Sequence, residues 1–304
     1  MRELFDKDEL TTFAKALSSD MRVNILLYVA QNPGIGLKEL ADHFAVSRAA
    51  ITQNIKILSA AGLIELGQSE EDSTARKGCF VPEDRFLLDF HRQILTQKIY
   101  TTEIPIGQYS NCSITPTCGI ATEQELIGKV DEPVYFDDPR RFAAGILWFS
   151  IGFIEYRLPN YLQKGQKLTE LQLSFEVSSE APGIAENWPS DLIFSLNDVE
   201  IGSWTSPGDY GEIHGRFTPS WWDPNWNQYG LLKLLSINEH GTYMDGRMIS
   251  PQNIHSLNLD YESELRFRLS APADAINTGG CTLFGRGFGN YNQGLKFNII
   301  YTEE

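Results

Sequence analysis

Cysteine is scarce: the 304 residues hold four, Cys79, Cys112, Cys118 and Cys281, with no CxxC pair. That excludes a disulfide framework and a paired-knuckle zinc site, and leaves reduced, buried thiols as the expectation. Cys112 and Cys118 are near enough in sequence to share a metal with a histidine, but no histidine stands close to them, so neither metal nor cofactor is expected. Positive charge is also in short supply. With 25 Lys+Arg against 40 Asp+Glu the formal net charge is -15, so the chain as a whole does not attract nucleic acid or an anionic membrane, and any DNA contact has to be local. No apolar run approaches the roughly 18 residues of a membrane span, and charges interrupt MRELFDKDEL, so the expectation is a cytoplasmic protein without a secretory leader or membrane contact. Internal repeats and low-complexity tracts are missing as well.

What is present is a globular composition: 42% hydrophobic, 12% aromatic and 21% charged. That composition excludes disorder, and the length suggests two domains with a core each. Pattern and charge both change near residue 100. Residues 1–100 carry 12 Lys+Arg and 14 Asp+Glu, whereas residues 101–304 carry 13 and 26, so nearly all the net negative charge belongs to the second part. The hydrophobic period changes there from 3.6 to 2.

In the first part, Met21 to Ala30 reads as an amphipathic helix capped by Ser19 or Asp20 and ended by Asn32-Pro33-Gly34. A second helix is predicted from about Leu37 to Phe44, followed by a short turn at Ala45-Val46. Ser47 is placed to cap a third, which carries Ile51, Ile55 and Leu58 on one face and stops at Gly62. Leu63 to Leu66 and Lys77 to Val81 read as strands of a hairpin around the polar tip Gln68 to Arg76, and Pro82 closes the unit. Phe86, Leu87, Phe90 and Ile94 predict one more helix from Asp84 to about Lys98, a linker or dimerisation element.

After Tyr100 the pattern alternates. Leu171, Leu173, Phe175 and Val177 point one way and Gln172, Ser174 and Glu176 the other, as in a half-buried strand. Glu264 to Leu269 and Lys296 to Ile299 repeat the pattern, and the apolar run Gly145 to Tyr156 suits a strand covered on both faces. The fold class expected is therefore α+β multidomain: a winged helix-turn-helix at residues 1–83, a linking helix at 84–99, and an antiparallel β-sandwich, jelly-roll-like, at 100–304.

Helix, turn, helix, hairpin is the order in which a winged helix sets its last helix into the major groove. The stretches LSSDMRVNILLYV, LKELADHFAVS and SRAAITQNIKILSAAGLIEL resemble the winged-helix part of ArsR-type transcriptional regulators over roughly residues 10–82. The resemblance implies DNA binding. It does not extend to metal sensing, because the helix Leu37 to Phe44 has no cysteine and its His43 stands alone. From the residues themselves, no Asp or Glu lies between Ser47 and Ile64, so this helix can approach phosphate. Ser47 and Arg48 suit a phosphate at the helix N-terminus, and Thr52 and Gln53 are placed for base edges. Ala49, Asn54 and Lys56 complete the candidate face, and Arg76 and Lys77 are placed on the wing for backbone contact.

The acidic second part should project away from DNA and serve sensing or assembly. Its most informative stretch is SWTSPGDYGEIHGRFTPSWWDPNWNQY, which holds four of the six tryptophans in a loop-like setting. Aromatic rings beside Asp, Asn, Gln and Arg suit sugar recognition, in which a ring stacks on the C–H face of the sugar and planar polar groups bind its hydroxyls. Trp204, Asp209, His214, Arg216, Trp221, Trp222, Asp223 and Trp226 are the candidates, with core filling as the competing role and at least one exposed ring expected. The segments GILWFSIGFIEYRLPN, SLNDVEIGSWTSPGDYG, YGLLKLLSINEHGTYMDG and LFGRGFGNYNQGL resemble a bacterial group of ArsR-like regulators in which a winged helix precedes a long β-rich domain. Glycines 285, 287 and 289 lack the spacing of a dinucleotide fingerprint and read as a tight turn. No enzyme is expected: neither GxSxG nor HExxH occurs, and a glycoside-acting pair drawn from Asp209, Glu212 and Asp223 is the weaker alternative. The reading is a homodimeric DNA-binding regulator that senses a small molecule, possibly a carbohydrate; the alternative is a C-terminal domain serving only dimerisation or protein interaction.

Overall fold

The structure is a computed structural model that describes residues 2–4, 6–68, 77–83, 86–88 and 97–303. Contacts within the chain separate two units, Met1–Ile94 and Leu95–Glu304.

The first unit opens with β1 (Arg2–Leu4) and α1 (Lys7–Leu17). The sequence pattern does not single out α1, although Asp6 caps it by accepting from the amides of Asp8 and Glu9. Next come α2 (Asp20–Gln31), α3 (Leu37–His43) and α4 (Arg48–Ala60). Ala45, at φ 51°, makes the turn between α3 and α4. Ser47 caps α4 by accepting from the Ala50 amide at 3.2 Å, and Gly62, at φ 68°, ends it in the left-handed region. Ile51, Ile55 and Leu58 pack with Ile25, Val29 and Leu40 into one core. The hairpin follows as β2 (Glu65–Gln68) and β3 (Lys77–Phe80), with Leu66 opposite Cys79. Ile35 adds a bridge on the other side of Cys79. Of the expected tip, Gln68 ends β2 opposite Lys77, and residues 69–76 lie outside the described residues.

The helix predicted from Asp84 to Lys98 is not what forms at Phe86–Leu88. Those residues make a short strand, β4, parallel to β1, and the Phe86 ring packs 5.0 Å from that of Phe13. Four apolar residues with helical spacing are a weak signal, and ladder partners supplied by β1 outweigh it. Residues 84, 85 and 89–96 of that prediction lie outside the described residues, and its last residue, Lys98, opens a strand (Lys98–Ile104) instead.

The second unit contains β5 (Lys98–Ile104), β6 (Asn111–Thr122), β7 (Ala144–Leu158), β8 (Gln166–Ser178), β9 (Ser190–Leu196) and β10 (Val199–Ser206). It continues with β11 (Leu231–Asn238), β12 (Thr242–Met244), β13 (Arg247–Ser250), β14 (Leu265–Ala271), β15 (Cys281–Phe284) and β16 (Leu295–Glu303). A sandwich predicts two separate sheets, but hydrogen bonds instead join all twelve strands into one antiparallel network. The reason lies in two long strands that change neighbours along their length. β7 pairs β6 on one edge and, on the other, β15 over its first half and β14 over its second. β8 pairs β11 on one edge, and β15 then β16 on the other. β15 therefore ties both halves together. The network nearly closes on itself, because β10 at one end lies against β12 and β13 at the other, and a Cβ at Gly202 would stand 2.7 Å from Ile249 Cδ1.

β8 departs from its half-buried pattern. Leu171, Leu173, Phe175 and Val177 enter the main core, yet Gln172, Ser174 and Glu176 on the opposite face are buried too. The polar face is covered because it finds partners: Gln172 bonds Asn298 and Glu170, Ser174 bonds Gln293, and Glu176 accepts backbone amides from the loop after β15.

Candidate functional site

The first candidate site is the outer face of α4. Its buried stripe, Ile51, Ile55 and Leu58, turns Arg48, Ala49, Gln53 and Lys56 outward, all exposed. Thr52 lies at the margin and spends its hydroxyl on Arg48 O at 2.8 Å. Asn54 stands about 100° round the helix from Gln53 and donates to Ala50 O at 2.9 Å, so it sits off that face. Ser47 is engaged as the cap. Arg76 lies outside the described residues; Lys77 pairs with Gln68 in the hairpin through its backbone. His43 stacks on Tyr28 with ring centroids 3.8 Å apart, which accounts for it without a metal.

The second is a cavity of about 150 Å³ in the β-rich unit. Trp148 of β7, Trp222 and Trp226 form its aromatic wall, with centroids 5.7 Å (148–222), 6.3 Å (148–226) and 4.8 Å (222–226) apart. The Trp222 indole N–H donates to Asn227 O at 2.9 Å, which pins the ring. Opposite stand Glu180, two residues beyond β8, and Asp209, in the loop after β10. Glu180 Oε2 accepts from Asn227 Nδ2 at 3.1 Å and Thr282 Oγ1 at 3.0 Å. Asp209 is 1% exposed; its Oδ2 accepts from the Ala181 amide at 3.0 Å, and its Oδ1 has no partner among the described residues. Burial, reinforced by the nearby Asp209 charge, holds the Glu180 carboxyl well above the usual carboxylate range. Burial likewise pushes Asp209 up to about 7, against the pull of the Ala181 amide.

Of the eight residues singled out in this unit, the cavity brings together Asp209, Trp222 and Trp226. The other five do not line it. Trp204 packs on the main core beneath the Lys233 ammonium, 4.5 Å from its ring centroid. His214 is tied to Thr218 O, and Arg216 lies over the Phe217 ring. Asp223 turns its carboxylate back onto Asn225. Trp221 is the exposed ring of the set, at 41%, and donates to Glu123 O. Core filling is thus the larger part of the story for Trp222, which is 2% exposed and packs on Phe288 at 5.0 Å. Trp148, Glu180 and Asn227 are missed by sequence reasoning. Asn227 was within reach, one residue past Trp226; Trp148 sits inside a strand-like pattern and Glu180 in the short polar stretch after one, with no local mark.

Glu212 and Asp223 of the glycoside-acting alternative are exposed and line no part of the cavity. Arg286 in the glycine turn makes a two-point pair with Glu103 at 2.6 and 2.7 Å. Cys79, Cys112, Cys118 and Cys281 are free thiols, and among the described residues no group of His, Cys, Asp and Glu is arranged to hold a metal. No described helix is long and apolar enough to cross a membrane.

Four helices with a hairpin behind the last define the first unit as a winged helix-turn-helix regulator domain. The family model that matches, over residues 19–73, is that of the MarR family; it supports a winged helix-turn-helix regulator domain but not the ArsR type expected from the motifs. No curated protein matches the chain. Similar solved structures include dimeric latent PorU from Porphyromonas gingivalis, at 14% identity and a TM-score of 0.28, covering 68% of this chain. The chain spans 13% of the length of that protein. A family 11 carbohydrate-binding module from Clostridium thermocellum, in complex with a β-1,3-1,4-mixed-linked tetrasaccharide, is 14% identical with a TM-score of 0.23, over 71% of this chain and 94% of that one. Peanut lectin with a 9mer peptide is 8% identical with a TM-score of 0.28, over 68% and 97%. Likenesses this distant leave the functional argument to the chain's own residues.

Proposed function

We propose that the protein is a sequence-specific DNA-binding transcriptional regulator, a cytoplasmic homodimer without catalytic activity, whose β-rich domain senses a small molecule of the carbohydrate class. One observation carries the DNA half: α4 presents Arg48, Gln53 and Lys56 on a face free of acidic residues, in a chain of net charge -15. A helix so cleared of repulsion in an acidic protein is suited to the major groove, with Gln53 toward a base edge and Lys56 toward phosphate. The sensing half is supported by the cavity, in which three indoles face carboxyl and amide groups able to bind hydroxyls. Sensing then amounts to a ligand favouring one spacing of two winged helices over another.

The test is selection of bound duplexes from a random library by the full chain, followed by titration of the winning duplex with and without a panel of neutral and amino sugars. An enriched half-site repeat whose affinity shifts with one sugar supports both halves. A flat selection ends the regulator reading; an enriched site indifferent to every sugar ends the sensing one.

A further inference from the structure

The cavity is selective by charge. Its lining includes the carboxyls of Asp131, Glu180 and Asp209 and, among the described residues, no Lys, Arg or His. Buried carboxyls ordinarily come with a cation or with enough donors to satisfy them. Glu180 has hydrogen-bond partners in Asn227, Thr282 and Thr117, but Asp209 Oδ1, buried in a residue 1% exposed, has none among the described residues. That is a pair of acids lacking the positive group that would complete them. An anionic ligand is excluded by the same lining.

The aromatic wall points the same way. Trp148, Trp222 and Trp226 meet edge to face or tilted, at 80°, 47° and 76°, so that their rings surround the space instead of stacking shut across it. Indole faces attract an ammonium within about 6 Å, and the attraction grows where water is displaced. Trp226 is only partly buried, leaving a way in.

We propose that the cavity binds a primary ammonium group, set between Glu180 and Asp209 and against the tryptophan wall, so that the ligand is an amino sugar. This rests on the reading of the cavity as the carbohydrate site and narrows its ligand class. Asp209 Oδ1 gains the donor it lacks, and the ring of the sugar lies toward Trp226 at the open side. Acetylation of the amine removes both the charge and two of the three donors.

The full chain is titrated, by tryptophan fluorescence and calorimetry, with glucosamine, N-acetylglucosamine, glucose and ethanolamine. Glucosamine is expected to bind about tenfold or more tighter than the two neutral sugars. Asp209→Asn and Glu180→Gln, which keep shape and remove a carboxyl that can ionise against an ammonium, are expected to erase that preference, whereas Glu212→Gln on the exposed surface leaves it intact. Should an isosteric variant fail to fold, Trp226→Leu at the cavity mouth must still weaken glucosamine. Equal binding of glucosamine and neutral sugars overturns the ammonium site while keeping the carbohydrate reading. Ethanolamine binding as well as glucosamine supports the ammonium site and overturns the carbohydrate reading. No binding by any of the four overturns both.

Discussion

The carboxylate of Glu176 stands where a side chain on Gly289 would be: a Cβ there would lie 2.5 Å from both Glu176 oxygens. Gly289, at φ 74°, lets the backbone close over the acid, and the amides of Gly230, Asn290 and Tyr291 donate to it at 2.8 to 3.1 Å. The glycine turn is a clasp around a buried carboxyl group near the end of β8.

Glu176→Ala therefore orphans three backbone amides at a site with no exposed surface. The expected cost is about 3 kcal/mol, or roughly 6 to 12 °C for a domain of this size. Thermal unfolding of the full chain measures it, with Glu176→Gln falling between the two. A variant as stable as the wild type removes the clasp from the account.

Asp209 links stability to pH. Burial raises its folded value to about 7, whereas an unfolded aspartate titrates near about 4. Between those values the folded chain holds the extra proton, so this stabilisation is complete below about pH 4 and is lost as pH rises through about 7. Asp209→Asn is expected to be more stable than the wild type at pH 8, by at most about 4 kcal/mol, with the gap closing toward pH 4. Parallel unfolding curves of the two proteins from pH 4 to 8 measure this, and a constant gap contradicts the burial account.

Gln53 and Lys56 share the exposed face of α4 but have different chemistry. Gln53→Ala is expected to relax base preference, at about 1 to 3 kcal/mol for the selected duplex, while Lys56→Ala weakens all duplexes alike and lowers the salt slope by about one. Binding to selected and scrambled duplexes at several salt concentrations separates them. Identical effects of the two substitutions would sink these roles.

Among the thiols, Cys79 and Cys118 are pushed up by burial to about 11, and buried Cys281 is raised further. Burial also raises the Cys112 thiol, but this cysteine is only partly buried and so is the accessible one. Native alkylation at pH 8 followed by mass spectrometry should modify Cys112 alone, the other three reacting only after denaturant.

Helices α2, α3 and α4 are legible because their signals are local: apolar spacing along the helix, Ser47 at the start, Gly62 at the stop. The exposed recognition face follows from the same spacing. Phe86–Leu88 is not legible in the same way, since a parallel partner more than 80 residues earlier decides those residues. Likewise nothing beside Gln172, Ser174 and Glu176 announces that their face will be covered.

The sequence by itself determined the winged helix, the strand-rich second part and a tryptophan-rich loop, because periodicity, capping and composition act within a few turns of chain. Only the tertiary structure decided that Trp148, Glu180 and Asp209 join Trp222 and Trp226 around one cavity, and that Trp204 and Asp223 do not. Those groups come from β7, the stretch just after β8 and the long loop between β10 and β11. Their meeting is set by strand register and by β15 linking two halves of one sheet, and such pairings between distant segments leave no mark in the local pattern of either.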